Sequence, residues 1–349
     1  KVYTFRLEPR AFGLLSRAFA WMPAKTALKE TGSRILFTDE GTYEPLRKNF
    51  KDIKIMEYIH FPLEATIKKE YRSLGFYYKD DPYTYSRYGK FPLNVYWYVY
   101  IKLVSRYLRK NPFESADAVM TNSKWTAEVI KKIYGRDPMV LNPPLPPLMK
   151  ITSAPKPFEE RKSSLVMLGR FSEEKRYEWV IRELGQTLKK EGIRLIIFGG
   201  AVTSTQKSYM NRVKNEALKL GLKVSESPED GDVSMIPNAP RETINSVMDS
   251  SRAFLHATIN EHWGIAVAEA MARGLPVVVH RSGGAWSDLA ENGENGFGYE
   301  EPQEALTALL SVIRDEDIFR KYSRRSLERV SKLTLDSFYE KIKGIVDNF

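Results

Sequence analysis

Two glutamates stand within the segment NEHWGIAVAEAMARGLPVVV, which runs from residue 260 to residue 279. Glu261 precedes Gly264, and Glu269 lies among small apolar residues whose pattern predicts a helix. The free amides at a helix start attract anions, and a carboxylate buried in such a helix needs hydrogen-bond donors. The hydroxyls of a ribose or a sugar would suit both glutamates. The residues leave equally open that Glu261 is an exposed loop residue and that Glu269 pairs with an Arg or Lys.

Two cations follow a predicted strand in the segment LVMLGRFSEEK. Gly169 and Arg170 end this strand, and Lys175 comes five residues after the arginine. The fork of an arginine and the point charge of a lysine can together bind a diphosphate. The same spacing is also consistent with two surface cations beside Glu173 and Glu174.

Alternating strand and helix patterns in the second half must position these groups. The strands read SSLVMLGRF, RLIIFGG, AFLHATI and PVVVHR, and helical patterns lie between them. Strands that are apolar almost throughout, in repeated β-α-β order, predict a parallel sheet covered on both faces. Ligands bind such sheets beyond the carboxyl ends of the strands, where Arg170 and Glu261 stand.

The first half repeats this pattern with the strands RILFTD, IKIMEYIHF and ADAVMTNS. A helix follows, with Ser123 as the predicted N-cap and Gly135 as the predicted stop. Residues 142–157 hold six prolines, a density that no regular element tolerates. We therefore predict an α/β fold of two Rossmann-like domains whose parallel sheets face a central cleft. The predicted boundaries are 1–145 for the first domain, 146–160 for a linker, 161–332 for the second domain, and 333–349 for a helix that returns to the first.

The composition of the chain and the motifs that it lacks exclude several kinds of site. The chain has no cysteine, which rules out disulfides, thiolate catalysis and cysteine-ligated metal. The four histidines lack metal-site spacing, so a metal site built on histidine is not expected. No G-x-G-x-x-G follows a strand and no P-loop motif occurs, so the usual dehydrogenase and P-loop phosphate sites are not expected. The absence of cysteine, of a long apolar run and of an evident signal peptide favours a cytoplasmic protein.

Several segments together resemble a known family. EHWGIAVAEAMARGLPVVV resembles the E-x7-E signature of retaining family 4 glycosyltransferases, which have the GT-B fold, and GRFSEEK resembles their R-x4-K phosphate clamp. SGGAWSDLAENGENGF resembles the segment that follows, and the likeness covers most of residues 116–300. EYIHFP, AVMTNSKWTAEVI and HATINEHWGIAVAEAM are similar to stretches of the α-1,2-mannosyltransferases that extend the lipid-linked oligosaccharide of asparagine-linked glycosylation.

The resemblance implies roles for the matching residues. Arg170 and Lys175, beside Gly169, would neutralise the donor diphosphate, while Glu261 would hold the donor sugar and Glu269 the ribose. His60 would orient the donor sugar or the acceptor, and the alternative is a histidine at the edge of the core. Backbone amides at the helix start would contact the sugar or phosphate, at Gly264, Ile265 and Ala266. His262 would contact the donor or could equally be a packing residue. Met235 and Ile236 would lie near the base.

The implied reaction moves a hexose from a nucleotide-diphosphate sugar to a lipid-linked or other saccharide, with retention at the anomeric carbon. GDP-mannose is favoured over a UDP-sugar. The departing phosphate takes the acceptor proton in this family, so no metal, and no cofactor besides the donor substrate, is expected. Family members begin with a strand and a Gly-rich loop, whereas KVYTF resembles their second strand. Either that start precedes residue 1, or the chain departs from the family pattern. The alternative function is that of a non-catalytic protein that binds a nucleotide sugar or a polyphosphate.

Positive charge is concentrated in the first half. Residues 1–150 hold 26 Lys and Arg against 15 Asp and Glu, whereas residues 151–349 hold 28 against 29. Residues 11–25 and 71–107 mix aromatic with basic side chains, which suits lipid headgroups. We predict peripheral binding to the cytoplasmic membrane face; a solvated basic surface and an ordinary buried helix are the alternatives. No nucleic-acid-binding pattern occurs, so no nucleic acid partner is expected.

Overall fold

The computed structural model describes residues 13–72, 88–147 and 149–349, and its contacts divide the chain into two compact units. The N-terminal unit comprises Lys1–Asn142 together with Glu340–Phe349, and the C-terminal unit comprises Pro143–Tyr339. Parts of the two predicted aromatic and basic segments, residues 11–12 and 73–87, lie outside the described residues.

A parallel four-stranded sheet, in the order β1-β2-β3-β4, forms the centre of the N-terminal unit. Its strands are β1 (Ile35–Thr38), β2 (Lys54–Ile59), β3 (Ala118–Thr121) and β4 (Met139–Val140). The described helices of this part of the chain are α1 (Gly13–Ala18), α2 (Trp21–Thr31), α3 (Glu44–Asn49), α4 (Leu63–Ile67), α5 (Lys69–Arg72), α6 (Leu93–Tyr107), α7 (Pro112–Ser115) and α8 (Lys124–Tyr134). The central strands β2 and β3 are buried almost throughout, as a covered parallel sheet requires.

Helix α8 begins and ends where the sequence predicts. The Ser123 hydroxyl accepts a hydrogen bond from the Thr126 amide at 3.0 Å, which satisfies one of the free amides of the first turn. Gly135 follows the last turn with φ 72°, in the left-handed region that glycine adopts at little cost. The helix therefore starts directly after the carboxyl end of β3.

A buried ionic cluster joins the elements around β2. Arg109 donates to both carboxylate oxygens of Glu57, at 2.8 and 2.9 Å, and also contacts Glu64. The Tyr43 hydroxyl donates to Glu57 at 2.6 Å. All four side chains are buried. Because a buried charge without its partner is costly, this cluster ties β2, α4 and the chain segments before α3 and after α6 together.

A seven-stranded parallel sheet forms the centre of the C-terminal unit, in the order β11-β10-β9-β5-β6-β8-β7. Its strands are β5 (Lys162–Arg170), β6 (Arg194–Gly200), β7 (Val224–Ser225), β8 (Val233–Pro237), β9 (Ser251–His256), β10 (Val277–His280) and β11 (Phe297–Tyr299). The helices are α9 (Tyr177–Lys190), α10 (Ser204–Lys219), α11 (Arg241–Asp249), α12 (Ile265–Ala272), α13 (Pro302–Arg314), α14 (Glu316–Val330) and α15 (Leu335–Val346), whose end belongs to the N-terminal unit.

Two hydrophobic clusters cover the opposite faces of this sheet. Leu165 and Met167 of β5 pack in one cluster, and Val166 between them packs in the other. Successive side chains of a strand point to opposite faces, so apolar residues throughout a strand require cover on both sides. The parallel sheet predicted for the second half is therefore confirmed.

The proline-rich segment packs on the C-terminal unit. Among its described residues, 143–147 and 149–157 contain no helix or strand, and Phe158–Glu160 forms a 3₁₀ turn. The Leu145 amide donates to the Leu333 carbonyl, and the Thr152 amide donates to the Ala272 carbonyl, each at 2.9 Å. Backbone hydrogen bonds therefore hold this segment along its length.

Candidate functional site

The carboxyl end of β5 is shaped by a glycine that leaves room for a lysine. After β5 the chain forms a 3₁₀ turn, Glu173–Lys175, which directs Lys175 back across the strand end. A Cβ atom at Gly169 would lie 3.2 Å from Cδ and Cε of Lys175 and 3.0 Å from the Tyr177 hydroxyl. The glycine therefore permits the lysine side chain to lie against the strand.

Lys175 meets the first glutamate of the E-x7-E motif. Its Nζ lies 2.8 Å from Glu261 Oε2, and His256 Nε2 lies 3.0 Å from the same oxygen. His256 is the last residue of β9, and Glu261 stands in the loop that follows. Among the described residues, none donates a hydrogen bond to the second oxygen, Oε1. The carboxylate is thus held through one oxygen, while the other can accept from a ligand.

The charges of this triad are fixed by burial and by one another. Burial opposes ionisation of Glu261, but Lys175 and His256 outweigh it and hold the pKa of Glu261 well below its usual range. Burial, helped by Lys175 and opposed by Glu261, lowers the pKa of His256. At neutral pH the imidazole is therefore uncharged and donates its Nε2 proton to an ionised Glu261.

A glycine pair after β10 fixes the backbone of Glu261. Gly283 has φ 76°, and a Cβ atom there would lie 2.2 Å from the Glu261 carbonyl oxygen. The Gly284 amide donates to that carbonyl at 2.7 Å, and the Asn260 amide donates to the Ser282 hydroxyl at 2.8 Å. The segment SGG of the sequence therefore acts as a support for the loop that carries Glu261.

Helix α12 begins beside this loop. Gly264 caps it with φ 99°, and its carbonyl accepts the amides of Val267 and Ala268 at 2.9 and 3.1 Å. The amides of Ile265 and Ala266 precede the first internal bond of the helix, where the positive end of its dipole lies. The start of α12 thus has the free amides on which the predicted binding of an anion or an oxygen-rich ligand depends.

The second glutamate of the motif is paired inside the unit. Glu269 is buried, and Arg241 Nη1 lies 3.1 Å from its Oε2. Burial raises the pKa of Glu269, and Arg241 opposes the rise. The structure therefore shows the pairing with a cation that the sequence had left open. Arg241 is the first residue of α11.

The side chains of the other predicted donor contacts range from exposed to fully buried. The side chain of Arg170 is 60% exposed and lies 3.3 Å from Glu174 Oε1. His262 is half-buried. Met235 lies in the core on one face of β8, and Ile236 packs half-buried on the other face. The structure thus brings Lys175 into contact with Glu261 and leaves the side chain of Arg170 largely in solvent.

His60 lies in the N-terminal unit, one residue after β2. Its side chain is 60% exposed, and its Nε2 lies 3.7 Å from Asp39 Oδ2. Its ring packs edge-on against Tyr58, with the ring centroids 5.0 Å apart. Partial desolvation lowers the pKa of His60 although Asp39 opposes this. His60 therefore lies at the carboxyl end of its sheet, and its side chain is only weakly held by its described neighbours.

Sequence reasoning missed a third cation, Arg176, at the edge of the C-terminal sheet. Arg176 is buried, has φ 54°, donates to the Ala257 carbonyl at 3.1 Å, and stacks on Trp179 with its guanidinium 4.3 Å from the ring centroid. Burial, together with Arg176 and Arg281, lowers the pKa of His280 to about 4. The missed residues Arg176 and His256 both stand directly at strand or turn ends, which is the signal that could have identified them.

The sequence profile of the family described as glycosyl transferases group 1 matches residues 150–329. The chain belongs to this family. The matched residues include all of the site described above except His60. In the part of the chain that the structure describes, no group of three or more acidic or histidine side chains could hold a metal ion.

Curated relatives of this glycosyl transferase chain include mannosyltransferases of yeast and human. The GDP-Man:Man(3)GlcNAc(2)-PP-Dol alpha-1,2-mannosyltransferases of Candida glabrata and Homo sapiens are 29% identical over 202 residues and 28% identical over 233 residues. These matches cover 56% and 62% of this chain but only 38% and 46% of the relatives. The chain therefore spans less than half the length of either relative.

Solved structures show the same fold. Sucrose-phosphate synthase from Thermosynechococcus elongatus has a TM-score of 0.70 at 15% identity, over 98% of this chain and 80% of that one. Anabaena HepE, solved with UDP and glucose, has a TM-score of 0.66 at 18% identity, over 100% of this chain and 86% of that one. The predicted α/β class of GT-B type, with two Rossmann-like parallel sheets, is confirmed.

Proposed function

We propose that the chain is a retaining, metal-independent mannosyltransferase that transfers mannose from GDP-mannose to a lipid-linked saccharide. The observation that carries this proposal is the contact of Lys175 and His256 with a single oxygen of Glu261. Both the donor and the acceptor class are supported by the names of the curated relatives. Family membership supports the transfer of a sugar rather than its storage or sensing.

Lys175 is suited to hold the donor diphosphate while it keeps Glu261 in place. An ammonium group has three donors, and the contact with Glu261 uses one of them. The side chain of Lys175 is 17% exposed, so its remaining donors are within reach of a phosphate. Arg170, whose side chain is largely in solvent, would close onto the same diphosphate through its fork.

Glu261 and Glu269 are suited to hold hydroxyl groups of the donor. The free oxygen Oε1 of Glu261 would accept from the mannose, and the carboxylate of Glu269 would accept from the ribose while it remains paired to Arg241. The amides at the start of α12 would donate to the sugar or the phosphate. Met235 is buried in the core, so the proposed contact with the base rests on the half-buried Ile236 and on the backbone of β8.

Transfer with retention then needs few protein groups. The bond between the anomeric carbon and the diphosphate oxygen breaks, and the acceptor oxygen bonds to that carbon on the same face. The acceptor proton passes to the departing phosphate, whose developing charge Lys175 and Arg170 stabilise. His60 would orient the acceptor or the mannose.

We further propose that the protein acts at the cytoplasmic face of a membrane, because a lipid-linked acceptor is held there and the first half of the chain is basic.

A transfer assay tests this proposal. Purified protein is incubated with GDP-mannose and a lipid-linked acceptor that ends in mannose, and NMR determines the anomeric configuration of the product. UDP-sugars serve as control donors. We expect an α-linked product with GDP-mannose and at least tenfold less product with UDP-glucose. Binding of GDP-mannose without transfer or hydrolysis would instead identify a non-catalytic nucleotide-sugar-binding protein.

A further inference from the structure

Helix α6 presents large apolar side chains to solvent. The exposed fractions around its start are 82% for Phe91, 52% for Val95, 68% for Tyr98 and 41% for Val99. Soluble proteins rarely expose contiguous apolar side chains unless the surface has a binding role. This cluster is therefore a candidate docking surface.

The exposed residues share one face of the helix. Val95, Tyr98 and Val99 recur with helical spacing, and Lys102 and Arg106 continue the same stripe one and two turns later. The opposite face is buried: Tyr100 and Val104 pack in a cluster that also contains residues of α1. The helix is thus apolar on both sides, and only the inner side is used in the fold.

The charge around this face is of one sign. Residues 88–113 contain no Asp or Glu and five Lys or Arg, of which Arg109 is buried against Glu57 and Glu64. Lys90, Lys102 and Arg106 are exposed. An apolar stripe that continues into cations complements a bilayer, in which acyl chains lie below anionic headgroups. A tyrosine such as Tyr98 suits the boundary between them, because its ring is apolar and its hydroxyl is polar.

We infer that the outer face of α6, formed by Val95, Tyr98, Val99, Lys102 and Arg106, docks on an anionic lipid bilayer. The inference rests on the proposed function only in that a lipid-linked acceptor is found at such a surface. The apolar side chains enter the interface at the start of the helix, and the two cations contact the headgroups further along. Among the described residues, this face brings together exposed apolar side chains and the exposed cations Lys102 and Arg106.

Vesicle sedimentation tests the inference. The full chain is mixed with vesicles of phosphatidylcholine and phosphatidylglycerol, and the bound fraction of the variant V95Q/Y98Q/V99Q is measured. The control variant is L218Q/Y339Q, which replaces apolar side chains that are 51% and 58% exposed on other helices. We expect the triple variant to lose about tenfold or more of its bound fraction, because three side chains no longer leave water. The control variant should bind like the wild type, and K102Q/R106Q should bind with a weaker dependence on salt.

The outcomes separate this inference from the proposed function. Wild-type protein that binds GDP-mannose but not the vesicles, or a triple variant that binds them undiminished, would overturn the docking surface. Protein that binds the vesicles but not GDP-mannose would contradict the proposed function alone. If gel filtration shows a dimer that the triple variant separates, and vesicles retain neither form, the face is a subunit interface and the inference is overturned.

A second observation, in the C-terminal unit, carries an independent inference. Lys175 approaches Glu261 from the turn after β5, His256 approaches it from the end of β9, and both contact Oε2. The lysine is proposed to bind the donor, whereas His256 is 3% exposed and is too deeply buried to reach a ligand. We infer that His256 is a positioning residue, which holds Glu261 so that Oε1 faces the donor sugar.

Two substitutions distinguish positioning from support of the fold. His256→Leu removes the donor, whereas His256→Gln keeps an N–H group at a similar reach. We expect the leucine variant to lose tenfold or more in kcat, a size typical of a lost supporting hydrogen bond, with the affinity for GDP unchanged. The glutamine variant should recover most of kcat. Equal losses in both variants, or a loss of GDP affinity together with kcat, would contradict a positioning role.

Discussion

The two units present their functional groups in opposite ways. In the C-terminal unit, Glu261 is fixed by two side chains and by the backbone of Gly284. In the N-terminal unit, His60 stands in solvent with Asp39 at 3.7 Å, and α6 exposes an apolar face. One unit thus holds a preorganised polar site, while the other offers adaptable surfaces. The difference suits the proposed roles, in which the C-terminal unit binds a small donor and the N-terminal unit binds a large lipid-linked acceptor.

The largest expected effect comes from the buried ionic cluster of the N-terminal unit. Arg109→Met removes the cation that faces both Glu57 and Glu64, and should lower the free energy of unfolding of this unit by about 3–5 kcal/mol. Denaturant unfolding measures this change. Arg182→Met, at a side chain that is 54% exposed, is the matched control and should change stability by less than about 1 kcal/mol. Equal effects would show that the N-terminal unit does not depend on this cluster.

A smaller effect is expected from the loop that supports Glu261. In Gly283→Ala the new methyl group would overlap the Glu261 carbonyl, so the loop must move, at a cost of about 2–3 kcal/mol in stability or donor binding. Calorimetric titration with GDP-mannose and thermal unfolding measure the two contributions. Gly344→Ala is the matched control, since no atom lies within 4 Å of a Cβ there and alanine favours its helix. Unchanged binding and stability in Gly283→Ala would show that the loop is not rigid.

The smallest expected effect is a change in the pH dependence of stability. The folded pKa of His280 is lowered from 6.5 to about 4, so the unfolded chain takes up the proton first. The stability that this group contributes is therefore present above about pH 6.5 and is lost as the pH falls through the folded pKa. His280→Gln should flatten this slope in denaturant unfolding between pH 6.5 and 4. His60→Gln, at an exposed side chain, should flatten it less, and the reverse order would contradict the contrast between the units.

Local pattern explains why much of the C-terminal unit could be predicted. The apolar strands β5, β6, β9 and β10 and the helix after Gly264 are encoded by consecutive residues. Contacts between distant residues could not be predicted in this way. The Lys175–Glu261 pair spans 86 positions and the Arg241–Glu269 pair spans 28, and nothing in the local sequence fixes either pair.

The face of an element was harder to predict than its existence. Met235 and Ile236 stand in a strand with apolar residues on both sides, so the sequence does not reveal that Met235 points into the core. For the same reason the pattern of α6 does not show which apolar face is exposed. The sequence presents Gly283 only as part of a motif, because its need for a positive φ arises from the approach of the Glu261 backbone.

Calorimetric titration of GDP and GDP-mannose into the wild type, Lys175→Ala and Glu261→Gln tests the central claim most directly. The account predicts that Lys175→Ala weakens the binding of both ligands by about tenfold or more, because it removes a charge from the diphosphate. Glu261→Gln should weaken GDP-mannose and leave GDP nearly unchanged, since the carboxylate is assigned to the sugar. Undiminished binding of both ligands by Lys175→Ala would place the diphosphate elsewhere and contradict the account.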